Sequence, residues 1–188
     1  MSTTLVIAII LVAVIGYVIM IYNALVRSRQ MVEEAWSGID VQLKRRADLI
    51  PNLVETVKGY ASHEKDTLRE VTEMRTRAQN VAPGDIAGRA AAEGMLGAAL
   101  GRLMAVAEAY PDLKANENFR DLQGTLDKIE SEIQMSRRYY NGSAREMNVK
   151  VESFPSNLVA NNFGFRQATY FELENPADRQ NPQVKFGD

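Results

Sequence analysis

The stretch MSTTLVIAIILVAVIGYVIMIYNALV, residues 1–26, decides the fold because it contains no charged side chain. As an α-helix it would be about 39 Å long at ~1.5 Å per residue, which exceeds a hydrocarbon core of about 30 Å. Its aromatic residues fall towards its end, where rings favour the membrane–water interface. We therefore expect an uncleaved transmembrane anchor, represented by Leu5, Ile10, Val14, Tyr17 and Tyr22.

A cleaved signal peptide and a buried core helix both fit this stretch less well. A cleaved signal peptide needs basic residues before a short apolar core, whereas no Lys or Arg precedes this long one. A buried core helix is seldom apolar on every side over such a length. Basic residues follow at once, at Arg27 and Arg29, so the positive-inside rule predicts that the bulk of the chain is cytoplasmic.

Composition excludes several kinds of chemistry. The chain has 188 residues, no Cys and one His, so disulfides, thiolate catalysis and a triad of His ligands are excluded. The net charge of -2 gives no general attraction for nucleic acid. We interpret His63 as a solvated residue on a helix, because no Ser or Cys nucleophile motif accompanies it. We expect no catalytic residue, no cofactor, no metal ligand and no nucleic-acid partner.

Apolar residues recur every three or four positions over residues 32–78, as in an amphipathic, coiled-coil-like helix. Pro51 either kinks this helix or begins a second one, and we favour one kinked helix that can continue directly from the membrane span. The basic run at residues 44–46 is expected on a solvated face or against an acidic partner. Asp40, Asn52 and Asn141 lie beside the apolar positions, as surface groups or as buried groups that fix helix register.

Turn signals divide the rest of the chain. VAPG at residues 81–84 ends the first segment, and Asp85 is a candidate N-cap for an Ala- and Gly-rich helix. Three glycines of that helix lie on nearly one side, where another helix could approach closely. A phosphate-binding loop is not favoured, because its Lys-Ser/Thr ending and preceding strand are missing. A second turn at residues 110–116 precedes a third long helix, capped by Asn116 or Asn118, that ends before Pro155.

The C-terminal tail is unusually aromatic, with six of the fourteen aromatic residues between positions 154 and 188. Disordered tails are poor in aromatic residues, so these rings should pack on the chain's own bundle, on a neighbouring subunit or on a separate partner. Residues 169–173 alternate like a short strand. The candidate interface residues are Gly94, Gly97, Gly101, Phe163, Phe165, Tyr170 and Phe171.

The predicted fold is all-α. It comprises a transmembrane segment (residues 1–26), an antiparallel bundle of three or four long helices (27–153) and a partly extended aromatic tail (154–188). None of the amphipathic segments can bury its apolar side alone, and short connections favour antiparallel neighbours.

Several stretches together resemble the LemA family of bacterial membrane proteins. They are AWSGIDVQLKRRADLIPNLVETVKGY (35–60), YNALV (22–26), LKANENF (113–119), YYN (139–141), FPSNLV (154–159) and FGF (163–165). The resemblance covers nearly the whole chain. It implies a single N-terminal span, a cytoplasmic antiparallel helical domain and a bacterial inner-membrane location, and it supplies no catalytic residue.

Three functions stay open at this point. The favoured one is a membrane-anchored, non-enzymatic scaffold that forms a homo-oligomer at the lipid bilayer and holds other membrane proteins there. The second is an accessory or regulatory subunit of a membrane protease or signalling system. The third, a hydrolytic enzyme, requires convergent titratable groups, and no such pattern occurs in the sequence.

Overall fold

The structure is a computed structural model that describes residues 2–172. Within these residues all regular secondary structure is α-helical, which confirms the predicted fold class. The helices are α1 (Thr3–Tyr60), α2 (Lys65–Gln79), α3 (Ile86–Glu108), α4 (Pro111–Ala115), α5 (Glu117–Glu152) and α6 (Ser156–Asn162). The described residues form two compact units, one of residues 2–40 and 134–170, the other of residues 41–133 and 171–172.

Helix α1 contains 58 residues, and its first part carries the uncharged stretch. Its predicted anchor side chains are exposed, from 37% at Tyr22 to 57% at Ile10. None of the most apolar window of α1 is buried by other parts of the protein. An apolar helix that the protein leaves uncovered is compatible with a hydrocarbon environment, so its length and exposure indicate a membrane anchor.

The helix continues without a break through Arg27 and through Pro51, as predicted. The prediction that it extends to residue 78 is wrong. It ends at Tyr60, and residues 61–64 form a turn that leads into α2. His63 therefore lies in an exposed turn and not on a helix. Helix α2 packs against α3, to which residues 80–85 connect it.

Pro51 is tolerated inside α1 because another residue supplies the hydrogen bond that it cannot make. A helical residue at position 51 would donate its backbone N–H to the carbonyl of Ala47, but proline has no N–H. Arg75 of α2 donates its Nε–H to this Ala47 carbonyl at 2.6 Å. Ala47 is buried, so without Arg75 its carbonyl oxygen would lack a partner away from water.

The second unit has a continuous apolar core built from all four of its long segments. Leu53 and Val57 of α1, Val71 of α2 and Leu103 of α3 are fully buried, and Leu126 of α5 completes this cluster. Helices α2 and α3 run antiparallel. Glu64, just before α2, accepts a hydrogen bond from Tyr110, just after α3. Glu70 within α2 accepts from Arg102 within α3.

Two predicted caps are confirmed. Asp85 accepts a hydrogen bond from the backbone N–H of Gly88 at 2.8 Å at the start of α3. A Cβ at Gly88 would overlap the Asp85 carboxylate, so a larger residue at position 88 would require the capping side chain to shift. Asn116 accepts from the N–H of Phe119 at 2.9 Å and caps α5. The predicted turn before it contains the short helix α4.

The tail differs from its prediction in two respects. Residues 156–162 form α6, and the described part of the predicted strand, residues 169–172, has no regular secondary structure. The strand prediction is therefore wrong over these residues, since no neighbouring strand is present there to pair with the extended backbone. Leu173 and Phe186 lie outside the described residues.

We predict that Arg75→Met lowers the free energy of unfolding by about 1–3 kcal/mol, because it leaves the buried Ala47 carbonyl without a donor. In a Pro51→Ala background the alanine N–H can bond this carbonyl, and the same substitution should cost clearly less. Denaturant unfolding of the four variants, followed by circular dichroism, measures this coupling. The control is Arg77→Met at an exposed position of α2. Equal costs of Arg75→Met in both backgrounds would contradict this role of Arg75.

Candidate functional site

The first unit holds a cluster at the end of the uncharged part of α1, which we call the membrane-proximal cluster. Its buried residues are Leu25, Met147, Val159, Ala160 and Phe165. Partly buried aliphatic residues of α1 surround it, from Val18 to Val32, together with Val151 of α5. Helix α6 thus packs against the part of α1 where the uncharged stretch ends.

Aromatic rings of the tail contact this same part of α1. The ring of Tyr22 lies 5.0 Å from that of Phe163 and 5.7 Å from that of Phe165, both edge-on. The guanidinium of Arg29 lies over the Phe165 ring, 5.4 Å from its centre. Edge-on pairs and cation–π contacts of this kind each contribute about 0.5–1.5 kcal/mol beyond apolar burial.

The candidate interface residues of the tail therefore fall into two groups. Phe165 is 7% exposed and Phe171 fully buried, so their rings pack within the chain itself. Phe163 and Tyr170 are 60% and 39% exposed and stay accessible to a partner. All four rings lie in the same aromatic segment of the tail, and the sequence does not show which of them are buried. Only the folded chain distinguishes the core rings from the surface rings.

Hydrogen bonds from α5 hold the extended segment after α6. Asn148 donates its side-chain N–H to the carbonyl of Ala168 at 3.0 Å and accepts from the N–H of Ala168 at 2.7 Å. This amide thus pairs with the backbone of residue 168 as a neighbouring strand would. The hydroxyl of Tyr140 donates to the carbonyl of Thr169 at 2.7 Å. Burial raises the pKa of Tyr140, so the neutral phenol is favoured in the folded chain.

We predict that alkaline pH breaks the bond between Tyr140 and Thr169. The raised pKa of Tyr140 means that the phenol stabilises the fold below its unfolded pKa of about 10 and stops doing so as pH rises through its folded-state pKa. Trp36, the only tryptophan, lies 5.7 Å from the Tyr140 ring. Its fluorescence should fall with a midpoint above about pH 10 as tyrosinate quenches it.

Tyr140→Phe should remove this fluorescence transition, whereas Tyr139→Phe, at an exposed neighbour, should leave it in place. A transition that survives Tyr140→Phe unchanged would assign the quenching to another group.

A buried charged network lies in the second unit. Arg46 is 2% exposed and donates to carboxylate oxygens of Glu93 and Glu130, each at 2.5 Å. Arg89 donates to the other oxygen of Glu93 at 2.8 Å. Burial acts to lower the pKa of Arg46, but attraction to Glu130 and Glu93 outweighs it and the pKa is raised. Arg46 therefore stays charged, balanced by two carboxylates.

Of the two expectations for the basic run, a solvated face or an acidic partner, the solvated face is wrong for Arg46, which is buried against two carboxylates of its own chain. Lys44 and Arg45 do lie on the surface, with 73% and 53% of their side chains exposed. Asp40 and Asn52 are exposed and Asn141 is half-buried, so Asp40 and Asn52 are not the buried polar groups. The buried polar residues among those described are Ser28, Arg46, Glu93, Ser143 and Asn148.

One sequence signal could have located this network. Glu93 is the only charged residue between Arg89 and Arg102 in a segment otherwise made of Ala, Gly, Met and Leu. A lone carboxylate in so apolar a segment is costly unless it meets a buried cation. Its partner Arg46 is 47 positions away in sequence, so no local pattern identifies it.

We predict that breaking this network is far more costly than breaking a neighbouring surface pair. Glu93→Gln should lower the free energy of unfolding by about 3–5 kcal/mol, because it leaves buried charge uncompensated. Lys44→Met, which breaks the exposed pair with Asp48, should cost less than about 1 kcal/mol.

The double variant Arg46→Met, Glu93→Met should cost less than the sum of its single substitutions in thermal or denaturant unfolding. Additive costs would show that the two side chains do not act as a pair.

The outer side of α3 consists of small residues. Its buried side carries Leu96, Leu100 and Leu103. The opposite side carries alanines and glycines spaced alternately by four and three: Ala87, Ala91, Gly94, Ala98, Gly101 and Ala105. A Cβ at Gly101, or at Gly97 beside this row, would meet no atom within 4 Å. We call this row the small-residue face of α3.

Among residues 2–172 no group of three or more His, Asp and Glu side chains could hold a metal ion. Helices α1 and α3 are, within the described part of the chain, long and apolar enough to cross a membrane. For α3, 44% of the most apolar window is buried inside the second unit, which identifies it as a core helix there.

Comparison with known proteins now assigns the family. The model of the LemA family matches residues 35–186. The chain belongs to the LemA family. The match includes the turn at residues 61–64, the small-residue face of α3 and α6, and it begins within α1 after the uncharged stretch.

Individual relatives extend this result. Magnetosome protein MamQ 2 of Paramagnetospirillum magneticum is 30% identical over 190 residues, which cover 88% of this chain and 70% of that protein. Magnetosome protein MamQ of Magnetospirillum gryphiswaldense is 28% identical, with 89% and 70% covered. Protein LemA of Metamycoplasma hominis is 27% identical over 150 residues, with 80% and 68% covered.

Proposed function

We propose that this LemA family protein is a membrane-anchored scaffold without enzymatic activity, which self-associates through the small-residue face of α3. In this proposal the bulk of the chain lies in the cytoplasm, at the inner membrane of a bacterium. The observation that carries the proposal is that this face is largely exposed, and that a Cβ at Gly101, or at Gly97 beside it, would lie in open space.

Glycine inside a helix is costly, at about 1 kcal/mol relative to alanine. A Cβ at Gly97 or Gly101 would lie in open space, so neither glycine is required by packing within the protomer. Small residues repeated every three or four positions allow two helix backbones to approach closely. A second copy of α3 would therefore explain why these positions lack side chains.

The membrane anchor adds a physical reason for self-association. Copies that share a membrane are confined to a layer, which raises the effective concentration of one face for another. A weak contact between small-residue faces can then suffice. The basic residues after the span, Arg27 and Arg29, support a cytoplasmic position of the bundle.

A second candidate function is an accessory subunit of a membrane protease or signalling system. The observation that favours it is the set of exposed aromatic rings on the first unit, Phe154, Phe163 and Tyr170. On this hypothesis these rings contact a different membrane protein, and the chain itself is monomeric.

We predict that the full-length protein in detergent forms a discrete oligomer, and that Gly101→Leu reduces its mass. The leucine enters open space in the protomer, so the fold is kept while close approach of a second helix is blocked. Size exclusion with multi-angle light scattering gives the mass. Point substitution is preferable to removal of the tail, because residues such as Val159 and Phe165 are part of the core of the first unit.

The matched control is Gly124→Leu on α5, where a Cβ would likewise meet no atom within 4 Å. It removes one helical glycine and adds one leucine without touching α3. A protein that is monomeric before any substitution would contradict self-association and favour the accessory-subunit function. An oligomer that both variants leave intact would place the contact elsewhere.

A further inference from the structure

Three large apolar side chains of the first unit point away from the protein. Phe154 is 80% exposed, Leu158 55% and Phe163 60%. They lie just before α6, within it and just after it. Exposed apolar side chains that are grouped in this way mark an interaction surface. What covers them follows from their position along α1.

The position of Phe163 along α1 is given by its ring contact with Tyr22. Val26 is the last residue of the uncharged stretch, and Tyr22 comes four residues before it. At ~1.5 Å per residue, Tyr22 therefore lies about 6 Å closer to the membrane than Val26. A helix needs about 20 residues to cross the hydrocarbon core, and the uncharged stretch has 26. The last few residues of the stretch, which include Tyr22, therefore lie at the boundary of headgroups and acyl chains. Phe163 therefore lies at this boundary.

The position of Phe154 follows from the antiparallel pairing of α5 with α1. Tyr140 contacts Trp36, and Lys150 donates a hydrogen bond to Ser28 at 2.5 Å. Both helices rise ~1.5 Å per residue and they run in opposite directions. A step of one residue towards the end of α5 is therefore level with a step of about one residue towards the start of α1. By this pairing Phe154, two residues after the end of α5, reaches about the level of residues 22–24.

Charged side chains lie on the side of residues 22–24 that faces away from the membrane span. Arg29 and Arg166 line one groove together with Glu33 and Phe165. Arg27, two residues before Arg29 on α1, is also exposed. Basic residues at headgroup level are attracted to anionic lipids, by about 1 kcal/mol each near the surface. Apolar side chains towards the bilayer and arginines towards water form the arrangement of an interfacial membrane contact.

We propose that Phe154, Leu158 and Phe163 enter the headgroup–acyl boundary of the same leaflet from which α1 emerges, as a second membrane contact of the chain. The occupant of this surface is lipid, since the surface continues directly from the uncharged part of α1. The inference rests on the anchoring of α1 in the membrane and is independent of self-association through α3.

The absence of cysteine allows a direct test with the full-length protein in phosphatidylcholine–phosphatidylglycerol vesicles. Single cysteines replace Phe154, Leu158 or Phe163, and each carries an environment-sensitive nitrobenzoxadiazole dye. Because these side chains are exposed, the substitutions leave the core untouched. The quencher is a phosphatidylcholine that carries a doxyl group close to its ester bonds.

We expect blue-shifted emission and loss of emission with this quencher at all three positions. The matched control is Met135→Cys on α5, another exposed apolar position (54%), which lies about 28 Å along the chain's helical rise from Phe154. It should show water-like emission that the lipid quencher leaves unchanged. Emission at positions 154, 158 and 163 that matches position 135 would overturn the proposal.

A second control separates this proposal from the anchor itself. A dye on Val12→Cys should be quenched by a doxyl group placed deep in the acyl chain if α1 spans the bilayer. Quenching at position 12 without quenching at position 163 would overturn the second contact and leave the anchor standing. Dyes near α6 that are shielded from water but not quenched by lipid would show that protein covers this surface, which also overturns the proposal.

Discussion

The pairing of a continuous α1 with the antiparallel α5 is the constraint on which the first unit depends. Helix α1 begins as an uncharged segment that suits hydrocarbon and continues, without a break, into an amphipathic segment that suits water. Because the helix does not bend back at this boundary, the apolar side of its continuation needs cover from another part of the chain. Helices α5 and α6 supply that cover through Met147, Val151 and Val159. The tail then follows α5 through Asn148 and Tyr140.

Several stabilising interactions share one physical principle. In each, a side chain supplies the hydrogen-bond partner or the opposite charge that the backbone or the apolar surroundings do not provide. Arg75 bonds the carbonyl that Pro51 leaves free, and Asn148 acts towards residue 168 as a strand would. The buried Arg46 pairs with the buried carboxylate of Glu93 and with the partly exposed carboxylate of Glu130. Each case gives a partner to a polar group that is at least partly buried, and a fully buried polar group without a partner costs several kcal/mol. These contacts make particular residues necessary at positions where apolar periodicity alone would accept many.

The proposed functions use surfaces that the two units leave open. The small-residue face of α3 presents almost no side-chain atoms, so a helix backbone can approach it closely. The surface around α6 presents large apolar side chains at the level where α1 leaves the bilayer. The first surface suits a second copy of this chain and the second suits lipid. A scaffold that contacts the bilayer at two places would hold its first unit in a defined orientation to the membrane.

The sequence by itself determined the all-α class, the apolar anchor, the caps at Asp85 and Asn116 and the end of α5 before Pro155. Each of these depends on a property of a short segment. The helical class follows from the periodicity of apolar residues, the anchor from transfer between water and hydrocarbon, and the caps from hydrogen bonds over three residues. The tertiary structure decided that Arg46 is buried, that Phe165 and Phe171 belong to the core while Phe163 is exposed, and that the first amphipathic segment ends at Tyr60. These outcomes depend on partners far away in sequence, such as Glu93 for Arg46 and Tyr22 for Phe165, which only the folded chain brings together.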